Sequence, residues 1–170
     1  MVLIGPPGAG KSVVGPLVAA RLGVEFRDTD ADVGTAAGKP VSDIFVEDGE
    51  ETFRELERAA AASALGQTSA LRTRGGVLAL GSGAVLDPDV RRMLTGLVVV
   101  YLEAGFATVA KRTGMDRPRV VIPGNPRGML RAMLEERRPV YAELASITVS
   151  TDGMAPEEVA ADLAKRLTAA

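Results

Sequence analysis

Residues 5–12, Gly-Pro-Pro-Gly-Ala-Gly-Lys-Ser, constrain the fold of this 170-residue chain more than any other stretch. They match the pattern G-x-x-x-x-G-K-[ST]. A short apolar run, Val2-Leu3-Ile4, comes just before, and an amphipathic stretch, Val13 to Leu22, comes just after. A strand, a glycine loop and a helix in that order turn backbone N–H groups and a helix N-terminus toward one anion. A plain glycine-rich turn would not need both flanks to agree with the spacing. Gly8, Ala9, Gly10, Lys11, Ser12 and Val13 are therefore expected to bind a nucleotide. Lys11 would reach its β- and γ-phosphates, and the Ser12 hydroxyl would sit on Mg²⁺.

The rest of the composition narrows the chemistry. The chain is 46% hydrophobic and 25% charged, ordinary values for a globular protein, and its length suits one domain spanning 1–170. Aromatic residues make up 4%, so the core must be mostly Ala, Val and Leu. A net charge of −2 without a long basic run argues against bulk nucleic-acid binding. There is no cysteine and no histidine. Any general base must then be a carboxylate, a lysine or a tyrosine, and any metal site must be built from oxygen. Met1 runs straight into the first strand, which leaves no room for a signal peptide, and no run is long enough to span a membrane. The expected location is the cytoplasm, with no membrane partner.

Periodicity predicts strands at 2–5, 24–27, 77–80, 97–102 and 147–149, alternating with helices. Helices are expected at 11–22, stopped by Gly23, in short pieces over 31–48 with Ser42 as an N-cap, and at 50–65, 87–94, 106–112, 129–144 and 156–167. Pro139 is expected to interrupt the helix at 129–144. Residues 66–76 read as a loop. The run 97–102 is the most β-rich and is expected to be buried on both faces. Residues 113–128 hold Gly114, Pro118, Pro123, Gly124, Pro126 and Gly128 together with Arg117, Arg119 and Arg127, and read as a mobile lid. Alternating strands and helices imply an α/β fold with a five-stranded parallel sheet covered on both faces and its sites at the carboxyl ends of the strands.

Three clusters sit at those ends: the phosphate loop, Asp28-Thr29-Asp30 and Gly81-Ser82-Gly83. Alternate residues of an extended segment face the same way, so Asp28 and Asp30 can share one site. One would hold Mg²⁺ and the other would accept a proton from an attacking hydroxyl; the competing reading is a helix cap at Thr29 or Asp30. The glycines at 81–83 permit close approach of a ligand, or form a tight turn. Arg117 and Arg119 either close over phosphates or decorate a solvated loop. Arg137, beside Arg138-Pro139, stands where a guanidinium could bind a carboxylate bidentately. Arg54, among Glu50, Glu51, Glu55, Glu57 and Arg58, reads by itself as part of a solvated, salt-bridged helix face.

Taken together, these residues resemble the shikimate kinase family, over nearly the whole chain. The markers are the loop at 5–12, Asp28-Thr29-Asp30, Phe53-Arg54 followed by Glu57, Gly81-Ser82-Gly83, Arg112-Thr113, Arg117-Pro118, and Arg137 with Pro139 and Tyr141. The phosphate loop is common to many kinases, whereas this ordered set is far more specific. The resemblance implies a three-layer adenylate-kinase-like fold, usually monomeric, that phosphorylates the 3-hydroxyl of shikimate with ATP and Mg²⁺ on the route to aromatic amino acids. It implies an acid-binding region at about 31–65 and reassigns Arg54, with Arg137, to the substrate carboxylate. Asp30 and the turn Gly81, Ser82 and Gly83 would contact the ring hydroxyls, with Asp30 also the favoured base. Ser12 and Asp28 would serve Mg²⁺, Arg112 would lie against adenine, and Arg117 would reach the phosphates from the lid.

Some positions depart from the family pattern. Ser82 replaces the middle glycine of the turn, where a side chain would either crowd the substrate or add a hydrogen bond. Val13 stands for the usual threonine, and the lid reads Arg-Pro-Arg-Val-Val. The competing functions are a kinase of another small hydroxy acid such as gluconate, and a catalytically weak homologue that senses acids.

Overall fold

The computed structural model describes residues 1–66, 69–115 and 125–168. Five parallel strands form its sheet: β1 (Val2–Ile4), β2 (Phe26–Asp28), β3 (Val77–Ala79), β4 (Val99–Glu103) and β5 (Ile147–Ser150). Their order is β2-β3-β1-β4-β5, with β1 in the centre. Val2 lies opposite Leu78 on one side and Val99 on the other. The chain leaves β1 toward β2 and leaves β4 toward β5, so the connections diverge between β1 and β4. Ligands of open α/β sheets bind in such a crevice, at the carboxyl ends of the strands. β4 is the expected apolar strand, and Val99 to Leu102 are all buried.

Helices cover both faces. Against one pack α1 (Lys11–Leu22), α7 (Phe106–Arg112), α9 (Pro156–Thr168) and the first half of α8 (Pro126–Leu144), through Val14, Val18, Val109, Leu130, Leu134 and Leu163. Against the other pack α4 (Gly49–Leu65), α6 (Pro88–Met93) and the end of α8, through Ala61, Ala64, Leu65, Val90 and Tyr141. The small α2 (Thr29–Ala37) and α3 (Val41–Glu47) lean on α4 around Val33, Ile44 and Phe53. Ala61, Ala64 and Leu65 bury the inner face of α4 in the cluster against the sheet. Gly15 lets α1 come close to β2, where a Cβ would overlap the Phe26 ring. No helix among the described residues is long and apolar enough to cross a membrane.

Four local expectations need correction. The stretch 66–76 contains a short helix, α5 (Ala70–Arg74), with the Ser69 hydroxyl accepting the Arg72 N–H. Five residues are too few for a periodic pattern, which is why the segment reads as a loop. Ser42 does not cap α3; Pro40 holds the cap position, and the Ser42 hydroxyl donates to Asp43. Pro139 lies inside α8 and does not end it, because the helix stays packed on both sides of the lost hydrogen bond. Finally, Asp28 and Asp30 do not alternate along one strand. Asp28 closes β2, and Asp30 already belongs to α2. Of the proposed lid, residues 116–124, including Arg117 and Arg119, lie outside the described residues.

Candidate active site

The loop after β1 is shaped by glycines that no other residue could replace cheaply. Gly8 and Gly10 have φ of 74° and 102°. A Cβ on Gly8 would press against Thr113 at 3.2 Å. Gly10 caps α1 through its backbone alone, without a side-chain cap, so the first-turn N–H groups remain available to an anion. Lys11 is buried, and its ammonium folds back to donate to the Gly5 carbonyl at 2.8 Å and the Pro6 carbonyl at 3.2 Å. Burial pulls its pKa down to about 8, against the charges of Asp30, Asp28 and Glu57, which favour the cation. Arg137 is also close enough to repel it. The phosphate loop, the Asp pair and the arginine of α8 therefore share one electrostatic site.

Asp28 reaches that site as a helix cap. Its Oδ1 accepts the Asp30 N–H at 2.9 Å and starts α2. The capping reading of these residues holds: the cap turns the chain so that the Asp30 carboxyl points at Gly81, with Oδ1 3.0 Å from where a Gly81 Cβ would stand. Burial raises the Asp30 pKa above the ordinary carboxylate value; Lys11 opposes the rise, while Asp28 and Glu57 add to it. Ser12 lies at the exposed start of α1.

The turn at 81–83 follows β3 and is held at every residue by a different element. The Gly81 N–H donates to Thr29 Oγ1 at 2.8 Å, the Gly83 N–H donates to Glu57 Oε1 at 3.2 Å, and the Tyr141 hydroxyl donates to the Ser82 carbonyl at 2.7 Å. Glu57 is buried, and its other oxygen accepts from Arg54 Nη1 at 2.7 Å. Arg54 also donates to Glu50 at 3.2 Å and lies over the Phe53 and Phe45 rings. It is half-buried and organised, not part of a free solvated face. A Cβ on Gly81 would come within 2.6 Å of Glu57 Oε1, and one on Gly83 would overlap the Arg54 guanidinium. The outer two positions of the turn are closed to side chains, so the departure from glycine falls on the middle one, the half-buried Ser82.

Arg137, on α8, has its Nε buried without a hydrogen-bond partner among the described residues. A buried donor of that kind carries a desolvation cost that a bound acceptor would relieve. Arg112 ends α7 and donates to the Gly8 carbonyl at 3.1 Å and to the hydroxyl and carbonyl of Thr151, each at 2.9 Å. It forms a wall of a cavity of about 180 Å³ with Ala9, Val13, Met154 and Pro156, beside the phosphate loop. Val13 thus lines an apolar slot there. Of the residues expected from sequence, Lys11, Asp28, Asp30, Arg54, Gly81, Ser82, Gly83 and Arg137 gather around the crevice, and Gly8, Ala9, Gly10, Ser12, Val13 and Arg112 surround its end at the glycine loop. Arg117 lies outside the described residues. The sequence reading did not place Thr29, Glu57, Tyr141 or Thr151 in the site. Glu57 was legible as the i+3 partner of Arg54; nothing local marks Thr151.

A glycine loop on the central strand, a buried lysine at the head of its helix and a five-stranded parallel sheet define a P-loop kinase fold. Residues 7–168 match the shikimate kinase family model. The chain is 54% identical over 169 residues to the shikimate kinase of Thermobifida fusca, covering 99% of this chain and 95% of that one. It is 48% identical to that of Salinispora arenicola, covering 99% and 97%. Its structure superposes on a shikimate kinase from Acinetobacter baumannii, solved in complex with shikimate, with a TM-score of 0.84 at 32% identity, covering 99% and 92%. The chain belongs to the shikimate kinase family.

Proposed function

We propose that this enzyme transfers the γ-phosphoryl group of ATP to the 3-hydroxyl of shikimate, and that the residues gathered at the crevice carry out that transfer. The observation behind this reading is that Lys11 feels the charges of Asp30 and Arg137 within one site. A phosphate-binding cation, a half-buried carboxylate and a carboxylate-binding arginine then lie around one acceptor. Arg137 and Arg54 hold the acid's carboxylate, and the turn at 81–83 meets the ring hydroxyls. Asp30 accepts the proton of the attacking hydroxyl as its oxygen bonds to the γ-phosphorus and the bond to ADP breaks. Its raised pKa brings it nearer to that task than an exposed carboxylate would be. Lys11 moves from the loop carbonyls to the phosphates and balances their charge. Arg117, from the segment between α7 and α8, reaches the same phosphates. The slot beside Arg112 takes the adenine.

Ser12 and Asp28 supply a hydroxyl and a carboxylate oxygen, a donor set that suits Mg²⁺, which takes most of its remaining ligands from phosphate and water. The ion, when bound, neutralises charge on the β- and γ-phosphates. The reading has the enzyme working as a cytoplasmic monomer, which its elution volume on a sizing column checks. A coupled assay of ADP release with shikimate, quinate and gluconate tests the substrate. Turnover of shikimate above the other two is expected. Turnover of gluconate alone would refute the reading, and binding of shikimate without ADP release would make the protein a sensor.

A further inference from the structure

Tyr141 stands four residues beyond Arg137 on α8, and residues at that spacing share a helix face. It is fully buried, its ring stacks on Tyr101 with centroids 5.2 Å apart, and its hydroxyl donates to the Ser82 carbonyl at 2.7 Å. The Arg137 guanidinium is near enough to counter part of the rise that burial imposes on the phenol. The Tyr141 hydroxyl therefore holds the backbone of the turn at 81–83 one helical turn from the arginine whose Nε has no partner among the described residues.

We propose that Tyr141 is a positioning residue for the acid substrate, setting the distance between the Arg137 guanidinium and the turn at 81–83. The proposal rests on the reading above, in which those two groups grip opposite ends of one small ring. A guanidinium on a long side chain would otherwise sample several rotamers. Packing beside the Tyr141 ring, itself fixed by its bond to Ser82, restricts it to one. The turn is tied separately to α2 by Thr29 and to α4 by Glu57. Tyr141 is the link that brings α8 into the same frame. Burial pushes the phenol pKa up to about 12, so it stays a neutral donor toward Ser82 over the working range of pH.

The test separates this role from a merely structural one. The chain has no tryptophan and two tyrosines, Tyr101 and Tyr141, so its intrinsic emission reports on this stack alone. Shikimate added without nucleotide should change the emission of the wild type and of Tyr101→Phe, and leave that of Tyr141→Phe unchanged. In steady-state assays Tyr141→Phe should raise KM for shikimate about three- to tenfold, the value of one hydrogen bond, with kcat and the KM for ATP within about twofold. A folded Tyr141→Phe with unchanged KM for shikimate overturns the proposal, as does an emission response that survives in it. Should that variant fail to fold, Tyr101→Phe decides: a retained response supports the proposal and a lost one refutes it. A wild type inert toward shikimate refutes the functional reading itself. An active wild type whose Tyr141→Phe variant keeps its KM refutes only this inference.

Discussion

Nucleotide binding should weaken with rising pH in a window that Lys11 controls. In the nucleotide-free fold, burial brings the Lys11 pKa from 10.5 to about 8. Among phosphates the ammonium has anionic partners and stays protonated. Affinity then falls in proportion to the protonated fraction of the free enzyme, about nine-tenths at pH 7 and about one-tenth at pH 9. That is roughly a tenfold loss, or about 1.4 kcal/mol. Calorimetric titration of MgATP, without acid, in buffers of differing ionisation enthalpy should show this loss and an uptake of about half a proton near pH 8. The absence of histidine and cysteine keeps the window clear. The Met1 amine, whose pKa burial lowers from its ordinary 8.0, is bonded to the Gly76 carbonyl at the opposite end of β1, and Lys11→Met removes the Lys11 contribution while leaving that amine in place. A dissociation constant flat from pH 7 to 9, with no proton uptake, would refute the argument. Folding has the opposite sign. Because the folded pKa lies below the unfolded one, the unfolded chain binds more protons between about pH 8 and 10.5. This residue's penalty, about 3 kcal/mol when fully charged, is therefore present below pH 8 and is relieved as pH rises through that interval.

Gly83→Ala should drive a methyl into the Arg54 guanidinium and disturb its pair with Glu57, raising KM for the acid several-fold and lowering stability by about 1–3 kcal/mol, with KM for ATP little changed. Kinetics and thermal melts on the same preparation check both halves. Arg72→Ala removes donors from the Leu65 and Met93 carbonyls, which tie the end of α4 to α6. It should lower Tm by roughly 3–8 °C while leaving kcat and both KM values intact, since neither carbonyl approaches the crevice. Ser82→Gly should keep kcat/KM for shikimate within about twofold or raise it, because Tyr141 uses the carbonyl that glycine retains. A sharp drop would mean that the Ser82 hydroxyl touches the substrate.

Features that depend on neighbours in the chain were legible before the structure. The helix at 11–22 starts at a glycine N-cap and stops at Gly23, whose φ of 67° is the left-handed C-cap expected there. The helix at 106–112 and the strand at 147–150 follow from apolar spacing between glycine and proline breaks. Arg54 shows the limit. Its neighbours in sequence are mostly charged, so chemistry along the helix reads as a solvated face. Only the burial of Glu57 under the turn at 81–83 makes it an organised guanidinium. The family resemblance assigned Arg54 to the substrate carboxylate, but could not say what holds it; the structure shows Glu57, Glu50 and the Phe53 ring around it. Asp28 and Asp30 show a different limit: they do not alternate along a strand, because Asp28 caps the helix that carries Asp30.

The sequence by itself determined the strand, glycine loop and helix at 2–22, and the class of chemistry open to a chain without histidine or cysteine, because both rest on residue types and on contacts a few positions long. Only the tertiary structure decided the order β2-β3-β1-β4-β5, the burial that unsettles Lys11 and Asp30, and the framing of the turn at 81–83. Gly81 meets Thr29 across 52 residues of chain, and Tyr141 meets Ser82 across 59. Hydrogen bonds over such separations leave no local period. They come from packing helices on both faces of one sheet, and desolvation of a charge follows from what that packing excludes.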